Sequence, residues 1–341
     1  MSHRHAAVET LEVRRLFATL IPGETVITGI RSPGQQKNWS IDMVAGQAIV
    51  IAAGDLSGSA FQTEVILISP EGKTLRRAIG EEGSFLSRGA PVTGTYRVRV
   101  RDLGMNDTAS VRVTAAFGAA PITDNDDAFA AQSGRRFAAT IEQGDLDVWS
   151  VPVEKGQFTS IVATENTIGS DVDMGVLLLD PDGVAVQSAE NAIGLNFSFN
   201  AAKTGTYSAI VYEPGANASG RYGISFGQAP SVPYEGDADT ATPLTRGKTR
   251  NGDLPGGDTD VFTIPIGRGD KFSITLNRTS GTLNPEMLLV NDRGEVVSSV
   301  FGNTSATLNY TPTYSGNYYL IARDHQANSG GTFGIRYLIN K

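Results

Sequence analysis

Between Thr95 and Arg101 apolar and polar side chains alternate without a break, with Tyr96, Val98 and Val100 on one side and Arg97, Arg99 and Arg101 on the other. Successive side chains of a strand point to opposite faces, so the segment predicts a strand with one face buried. Its opening recurs twice. Gly94-Thr-Tyr96, Gly205-Thr-Tyr207 and Gly316-Asn-Tyr318 lie 111 residues apart, and each leads into a similar alternation. Tyr207, Ala209 and Val211, then Tyr318, Leu320 and Ala322, repeat the apolar side and mark it as core. The opposite side holds Ser208, Ile210 and Tyr212 in the second copy and Tyr319, Ile321 and Arg323 in the third. Because its chemistry changes from copy to copy, that side is expected to face outward.

Other features keep the same period. Gly72, Gly183 and Gly294 are 111 residues apart in turn-forming contexts, and Trp39-Ser-Ile41, Trp149-Ser-Val151 and Phe262-Thr-Ile264 open the three units at the near-equal offsets of 110 and 113. A period this long exceeds the 20–50 residues of solenoid or propeller repeats, so each copy is expected to be a whole domain. In the first unit the candidate strands cover residues 39–44, 48–53, 64–69, 95–101 and 110–115, rich in Val, Ile and Thr and separated by Gly, Pro and Asn. Short strands at regular intervals predict an all-β chain of three tandem antiparallel β-sandwich domains, jelly-roll-like in character. The expected divisions are an N-terminal targeting or disordered segment at 1–16, repeats at 17–118, 137–228 and 244–341, and acidic linkers at 119–136 and 229–243.

Composition narrows the function classes. The 341 residues carry a net charge of −8, which argues against a nucleic-acid partner, since phosphate backbones require clustered Lys and Arg. The absence of cysteine excludes disulfides, thiolate catalysis and thiolate zinc sites. No run of 18 apolar residues suits a membrane-spanning helix. Histidine occurs only at His3, His5 and His325. A Ser-His-Asp triad would therefore depend on His325, in the connection between the last two predicted strands, where a lone histidine is ordinarily surface. No nucleophile elbow, phosphate loop or His-Glu-x-x-His motif is present, so the chain is expected to be non-catalytic.

The carboxylates are the better candidates for chemistry. Calcium takes six to eight oxygens from Asp, Glu, Asn and backbone carbonyls. Asp124, Asn125, Asp126 and Asp127 precede the second unit, and Glu235, Asp237 and Asp239 precede the third. Each of these units then opens with Gly-Asp-x-Asp, at Asp145/Asp147 and Asp258/Asp260, whereas the first unit has neither acidic linker nor acidic pair. A cation caged jointly by linker and strand entry would explain that co-occurrence; turn formation by Asp and Asn would also explain the residues. Asp171 and Asp173 are second-choice ligands, or the start of a strand. For ligand contact, Tyr212, Tyr319, Ile321 and Arg323 form a candidate patch of the residue types that partners favour, suited to sugar or collagen, unless a neighbouring loop or sheet half covers them. Arg97, Arg99 and Arg101 form a basic stripe on an acidic chain, suited to an anionic polymer or to solubility.

Two resemblances bear on function. Leu11-Glu-Val-Arg14-Arg-Leu16-Phe17 is similar to the short LEPRxLL signature of many large bacterial surface and secreted proteins, with Val13 and Phe17 departing from it. Residues 1–21 lack the uninterrupted apolar run of a cleavable signal peptide. Gly144-Asp-Leu-Asp147-Val-Trp149, Ser170-Asp-Val-Asp173, Leu179-Asp-Pro-Asp-Gly183 and Gly205-Thr-Tyr207 together resemble the bacterial pre-peptidase C-terminal domain. The third unit matches through Gly257-Asp-Thr-Asp260-Val-Phe262, Asn291-Asp-Arg-Gly294 and Gly316-Asn-Tyr318, and the first more loosely, with Lys37-Asn38-Trp39 in place of the acidic pair. That resemblance implies a β-sandwich usually appended to secreted peptidases, with relatives that bind collagen or polysaccharide, sometimes through calcium that stiffens the linker. The expectations it adds are a bacterial extracellular or cell-surface location, an extracellular protein or polysaccharide ligand, calcium as the one candidate cofactor, and a partner peptidase. The rivals are a purely structural spacer and an accessory module for the secretion, folding or substrate targeting of a partner peptidase.

Overall fold

The computed structural model describes residues 17–122, 130–166, 172–236 and 244–340, and every regular element among them is a strand. Asp124, Asn125, Asp126, Asp127, Asp171, Asp237 and Asp239 lie outside the described residues, as does the segment 1–16. Domain 1 holds β1 (Ala18–Thr19), β2 (Thr25–Ile30), β3 (Gln36–Met43), β4 (Ala48–Asp55), β5 (Gln62–Ile68), β6 (Thr74–Glu81), β7 (Gly83–Gly89), β8 (Gly94–Asp102) and β9 (Ala109–Phe117). Its front sheet runs β1-β3-β8-β5-β6 and its back sheet β2-β9-β4-β7. Domain 2 holds β10 (Arg136–Ile141), β11 (Leu146–Val153), β12 (Phe158–Glu165), β13 (Met174–Leu179), β14 (Ala185–Asn191), β15 (Gly194–Asn200), β16 (Gly205–Tyr212) and β17 (Gly220–Ala229), arranged as front β11-β16-β13-β14 and back β10-β17-β12-β15. Domain 3 repeats this with β18 (Thr249–Leu254), β19 (Thr259–Ile266), β20 (Lys271–Arg278), β21 (Pro285–Val290), β22 (Val296–Phe301), β23 (Ser305–Tyr310), β24 (Gly316–Asp324) and β25 (Gly331–Asn340), as front β19-β24-β21-β22 and back β18-β25-β20-β23. Pairing within the sheets is antiparallel except for the short β1 beside β3.

The repeated Gly-x-Tyr has a structural cause. Gly205 sits at φ 150°, and a Cβ there would meet the Pro181 ring at 2.7 Å, so only glycine lets the strand start against the preceding turn. Two residues on, the tyrosine ring enters the core while its hydroxyl folds back to backbone four residues earlier. Tyr96 Oη donates to the Val92 carbonyl at 2.6 Å, and Tyr318 Oη donates to that of Tyr314 at 3.3 Å. The Tyr207 hydroxyl accepts from the Lys203 amide at 3.3 Å. A large aromatic is thus buried without leaving its polar end unsatisfied. The turns ahead of it are side-chain-capped: Asp180 accepts from the Asp182 and Val184 amides, and Asn291 from those of Arg293 and Glu295. Their turn glycines, Gly183 and Gly294, have φ of 80° and 77°.

Each domain has its own core between front and back sheets. In domain 2 the core is keyed by a buried polar chain: Trp149 Nε1 donates to Tyr222 Oη at 2.9 Å, and Tyr222 Oη donates to Asp147 Oδ2 at 2.5 Å. Hydrogen bonds to charged groups are worth about 1.5–3 kcal/mol, so Tyr222→Phe is expected to destabilise domain 2 by about 2 kcal/mol. Urea unfolding read by Trp149 fluorescence in a Trp39→Phe background checks this.

The domains then stack face to face. The outer face of the first back sheet (Ala48, Val50, Ala52, Ala116) packs on the outer face of the second front sheet (Leu146, Val148, Leu177, Leu179, Ile210, Tyr212). The second back sheet meets the third front sheet through Phe158 and Ala229 against Val261, Leu288, Val290 and Ile321. Six sheets therefore form one pile, and each junction joins a back sheet to the next front sheet. The strand face expected to point outward is instead buried in domains 2 and 3, because its Ile, Val and Leu residues find a second sheet to pack on. Linker residue Ile122 also lies in the first junction cluster.

Candidate functional site

The Gly-Asp-x-Asp motif sits at the junctions. Gly144 approaches the backbone of Gly54 in domain 1 so closely that a Cβ would lie 2.3 Å from its amide nitrogen, and Gly257 approaches Gly223 of domain 2 in the same way. The next residue, Asp145, is buried and accepts at Oδ1 from the Thr25 hydroxyl at 3.0 Å and the Thr114 hydroxyl at 2.9 Å, both in domain 1. Asp147 points into its own core, where it accepts from Tyr222. In domain 3, Asp258 and Asp260 are buried, and Asp258 Oδ1 accepts from the Thr259 amide at 2.8 Å. Glu235 and Asp173 are exposed. Among the described residues no three acidic or histidine side chains gather as a metal cage. Asp145 and Asp147 spend oxygens on hydroxyls, so a calcium site would draw mainly on linker residues outside the described ones. The motif's absence from domain 1 has a simpler cause: no described domain packs on its front sheet.

Of the four residues expected to contact a ligand, Tyr212, Ile321 and Arg323 are buried between domains. The Tyr212 ring stacks on Phe85 of domain 1, with centroids 4.1 Å apart, and its hydroxyl donates to Glu190 Oε1 at 2.7 Å; burial and then that carboxylate raise its pKa. Arg323 donates from Nε to Glu286 Oε2 at 2.8 Å and from Nη1 to Ser160 Oγ of domain 2 at 2.6 Å. These are assembly contacts, and they correct the expectation of an open patch. Tyr319 alone borders open space, in a groove of about 590 Å³ also lined by Pro152, Glu154, Gln157, Gln228 and Pro230. The groove's two amides are already committed, Gln228 to the Pro152 carbonyl and Gln157 to that of Pro230. His325 stacks on Phe301 with centroids 3.9 Å apart, and its Nδ1 lies 3.5 Å from Glu286 Oε1.

The front sheet of domain 1 is the one front sheet that no other described domain covers. Its outer face carries Arg97, Arg99 and Arg101 on β8, Ile66 and Ile68 beside them on β5, and Arg77 on β6. Glu64 is fully buried beneath them and ion-paired to both Arg77 and Arg101, the latter at 2.5 Å. Arg99 Nε donates to Asn38 Oδ1 at 3.2 Å, and the Arg97 guanidinium lies over the Phe17 ring, 5.6 Å from its centroid. Burial, then the charges of Arg97 and Arg101, lower the Arg99 pKa.

Two sets of functional groups follow the 111-residue period without standing out in the sequence. Glu64 faces Arg101 across strands, and Glu286 faces Arg323 in the same register, while domain 2 substitutes Gly175 opposite Tyr212. Asp102, Glu213 and Asp324 each accept amides from the loop that follows their strand. Aligning the units and asking where an acid recurs at the end of the Gly-x-Tyr strand would have found this second set.

No family model matches the chain, and no curated protein matches it. Among solved structures, the pre-peptidase C-terminal domain of collagenase from Bacillus anthracis is similar over 28% of this chain and 97% of its own, with 21% identity and a TM-score of 0.24. Aeromonas hydrophila PliG, a periplasmic inhibitor of g-type lysozyme, is similar over 30% of this chain and 97% of its own, with 12% identity and a TM-score of 0.24. A triple jelly-roll protein of an archaeal virus turret assembly spans 94% of this chain and 89% of its own, with 10% identity and a TM-score of 0.21. What the chain itself establishes is its class: three tandem β-sandwich domains stacked through their sheet faces.

Proposed function

We propose that this chain is a non-catalytic module of the bacterial exterior, secreted or cell-surface, whose stacked sandwiches form a stiff arm that binds extracellular polymer, protein or polysaccharide. The observation that carries this reading is the contrast between its front sheets: those of domains 2 and 3 are consumed in apolar junctions, while that of domain 1 is covered by no other described domain and is densely functionalised. Domains joined by small polar interfaces move relative to one another, whereas contiguous apolar faces hold them in place. The sequence resemblance supports the extracellular setting and a partner peptidase. Calcium belongs to the proposal only at the linkers, through Asp124–Asp127 residues and Glu235, Asp237 and Asp239.

Co-sedimentation with insoluble collagen, cellulose, chitin and cross-linked acidic polysaccharide, each in EDTA and in millimolar calcium, tests the proposal. Retention on at least one polymer is expected, and retention on none would leave the spacer as the better description. A thermal midpoint that rises with calcium, and no longer does so after Asp126→Asn and Asp127→Asn, would place the cation at the first linker. An unchanged midpoint removes calcium.

A further inference from the structure

We propose that the front sheet of domain 1 is a docking face for an acidic polysaccharide, whose carboxylate or sulfate groups are held by Arg97, Arg99 and Arg101. This rests on the polymer-binding reading above and narrows it to a ligand class and a site.

The first reason is positional. At the centre of the covered front sheets stand Val148 and Ile210 in domain 2, and Val261 and Ile321 in domain 3, all buried. The equivalent strand positions in domain 1 hold Asn38 and Arg99, hydrogen-bonded to each other. A face built to receive another sheet in this chain is apolar at its centre; this one is cationic there, so its occupant is anionic rather than another sandwich of the same kind.

The second reason is charge. Arg77 and Arg101 share the buried Glu64, but Arg97 and Arg99 have no carboxylate within ion-pairing distance among the described residues. Arg97 Nε is buried and has no hydrogen-bond partner, although such donors are normally satisfied. Three arginines on alternate positions of one strand repel each other, in a protein whose net charge is −8. Solubility of an end face does not require this. At the other end of the pile, the back sheet of domain 3 presents mainly neutral side chains, Ser273, Thr275, Asn277, Thr307 and Asn309, and its charged groups Lys271, Arg336 and Asp253 are of mixed sign and stand on three different strands rather than in one line.

The third reason is shape. Alternate residues of a strand are about 6.5–7 Å apart, so the three guanidinium groups form a line of about 13 Å. Their stems lie along buried Ile66 and Ile68, which limits their freedom before any ligand arrives. A line of fixed donors suits a chain of repeated anions better than a single anion, and the forked geometry of guanidinium suits carboxylate and sulfate alike.

Affinity electrophoresis of the full chain through gels containing polygalacturonate, chondroitin sulfate, neutral dextran or duplex DNA tests the proposal. Retardation is expected with polygalacturonate or chondroitin sulfate, which separates the carboxylate from the sulfate source, and it should weaken as salt is raised. Arg97→Gln with Arg99→Gln should weaken it at least tenfold, while Arg336→Gln on the back sheet of domain 3 should leave it unchanged. Removing crowded like charges leaves the fold intact, which a circular-dichroism melt verifies. Equal retardation of the double variant, or stronger retardation by DNA, would overturn the assignment. Binding only to neutral or protein polymers would overturn it while sparing polymer binding, and no binding to any polymer would remove both.

Discussion

Ile210→Asp is expected to separate domain 1 from domain 2 while leaving both folded. The Ile210 side chain is fully buried, yet it points away from the core of domain 2 and into the junction, beside Val148, Leu177 and Tyr212. A carboxylate there has only apolar neighbours in the closed junction, but water once the junction opens. An uncompensated buried charge costs about 3–5 kcal/mol, so the open form should gain at least about a hundredfold in population. Limited proteolysis at the 119–136 linker should accelerate accordingly, while the near-ultraviolet circular dichroism of the separated domains is kept. Ile210→Val removes one methylene and should cost only about 1 kcal/mol. Unchanged proteolysis in the aspartate variant would mean that the apolar contact does not hold the domains together.

At the second junction, Glu286→Ala is expected to cost about 3–5 kcal/mol, because it strands a buried guanidinium. The Arg323 side chain is 7% exposed and would keep only Ser160 Oγ across the junction. The equivalent change in domain 1, Glu64→Ala, releases Arg101 and Arg77, whose side chains are 24% and 46% exposed and reach water, so its cost should be nearer 1 kcal/mol. The same cross-strand pair thus carries different weight according to whether a neighbouring domain seals it. Both tryptophans lie outside domain 3, at Trp39 and Trp149, so amide hydrogen exchange in β21 and β24 is the suitable readout. Equal costs at the two sites would contradict the burial argument.

The 111-residue period was sufficient to read the three sandwiches, since a core alternation such as Tyr96, Val98 and Val100 obeys local geometry. β6 was harder to read. Thr74–Glu81 is an edge strand whose residues are half-buried or exposed, so little apolar periodicity marks it. Tyr212, Ile321 and Arg323 were assigned outward correctly with respect to their own domain, but one-dimensional alternation does not reveal that a second sheet lies beyond that face. The Gly-Asp-x-Asp pair shows the same limit. Its absence from domain 1 is visible in the sequence, but the bonds from Thr25 and Thr114 to Asp145 cross a domain boundary and join residues 120 and 31 positions apart.

Six sheets in one pile leave five intersheet gaps of about 10 Å, so the outer faces of the two end sheets should stand about 50 Å apart. The chain has no cysteine, so spin labels at Ile79→Cys on the first front sheet and Thr307→Cys on the last back sheet report on this distance alone. Electron–electron double resonance should give one narrow distribution near that separation, and Ile210→Asp should broaden it. A broad distribution in the unmodified stack, or one unaffected by Ile210→Asp, would show that the three sandwiches are strung together rather than piled.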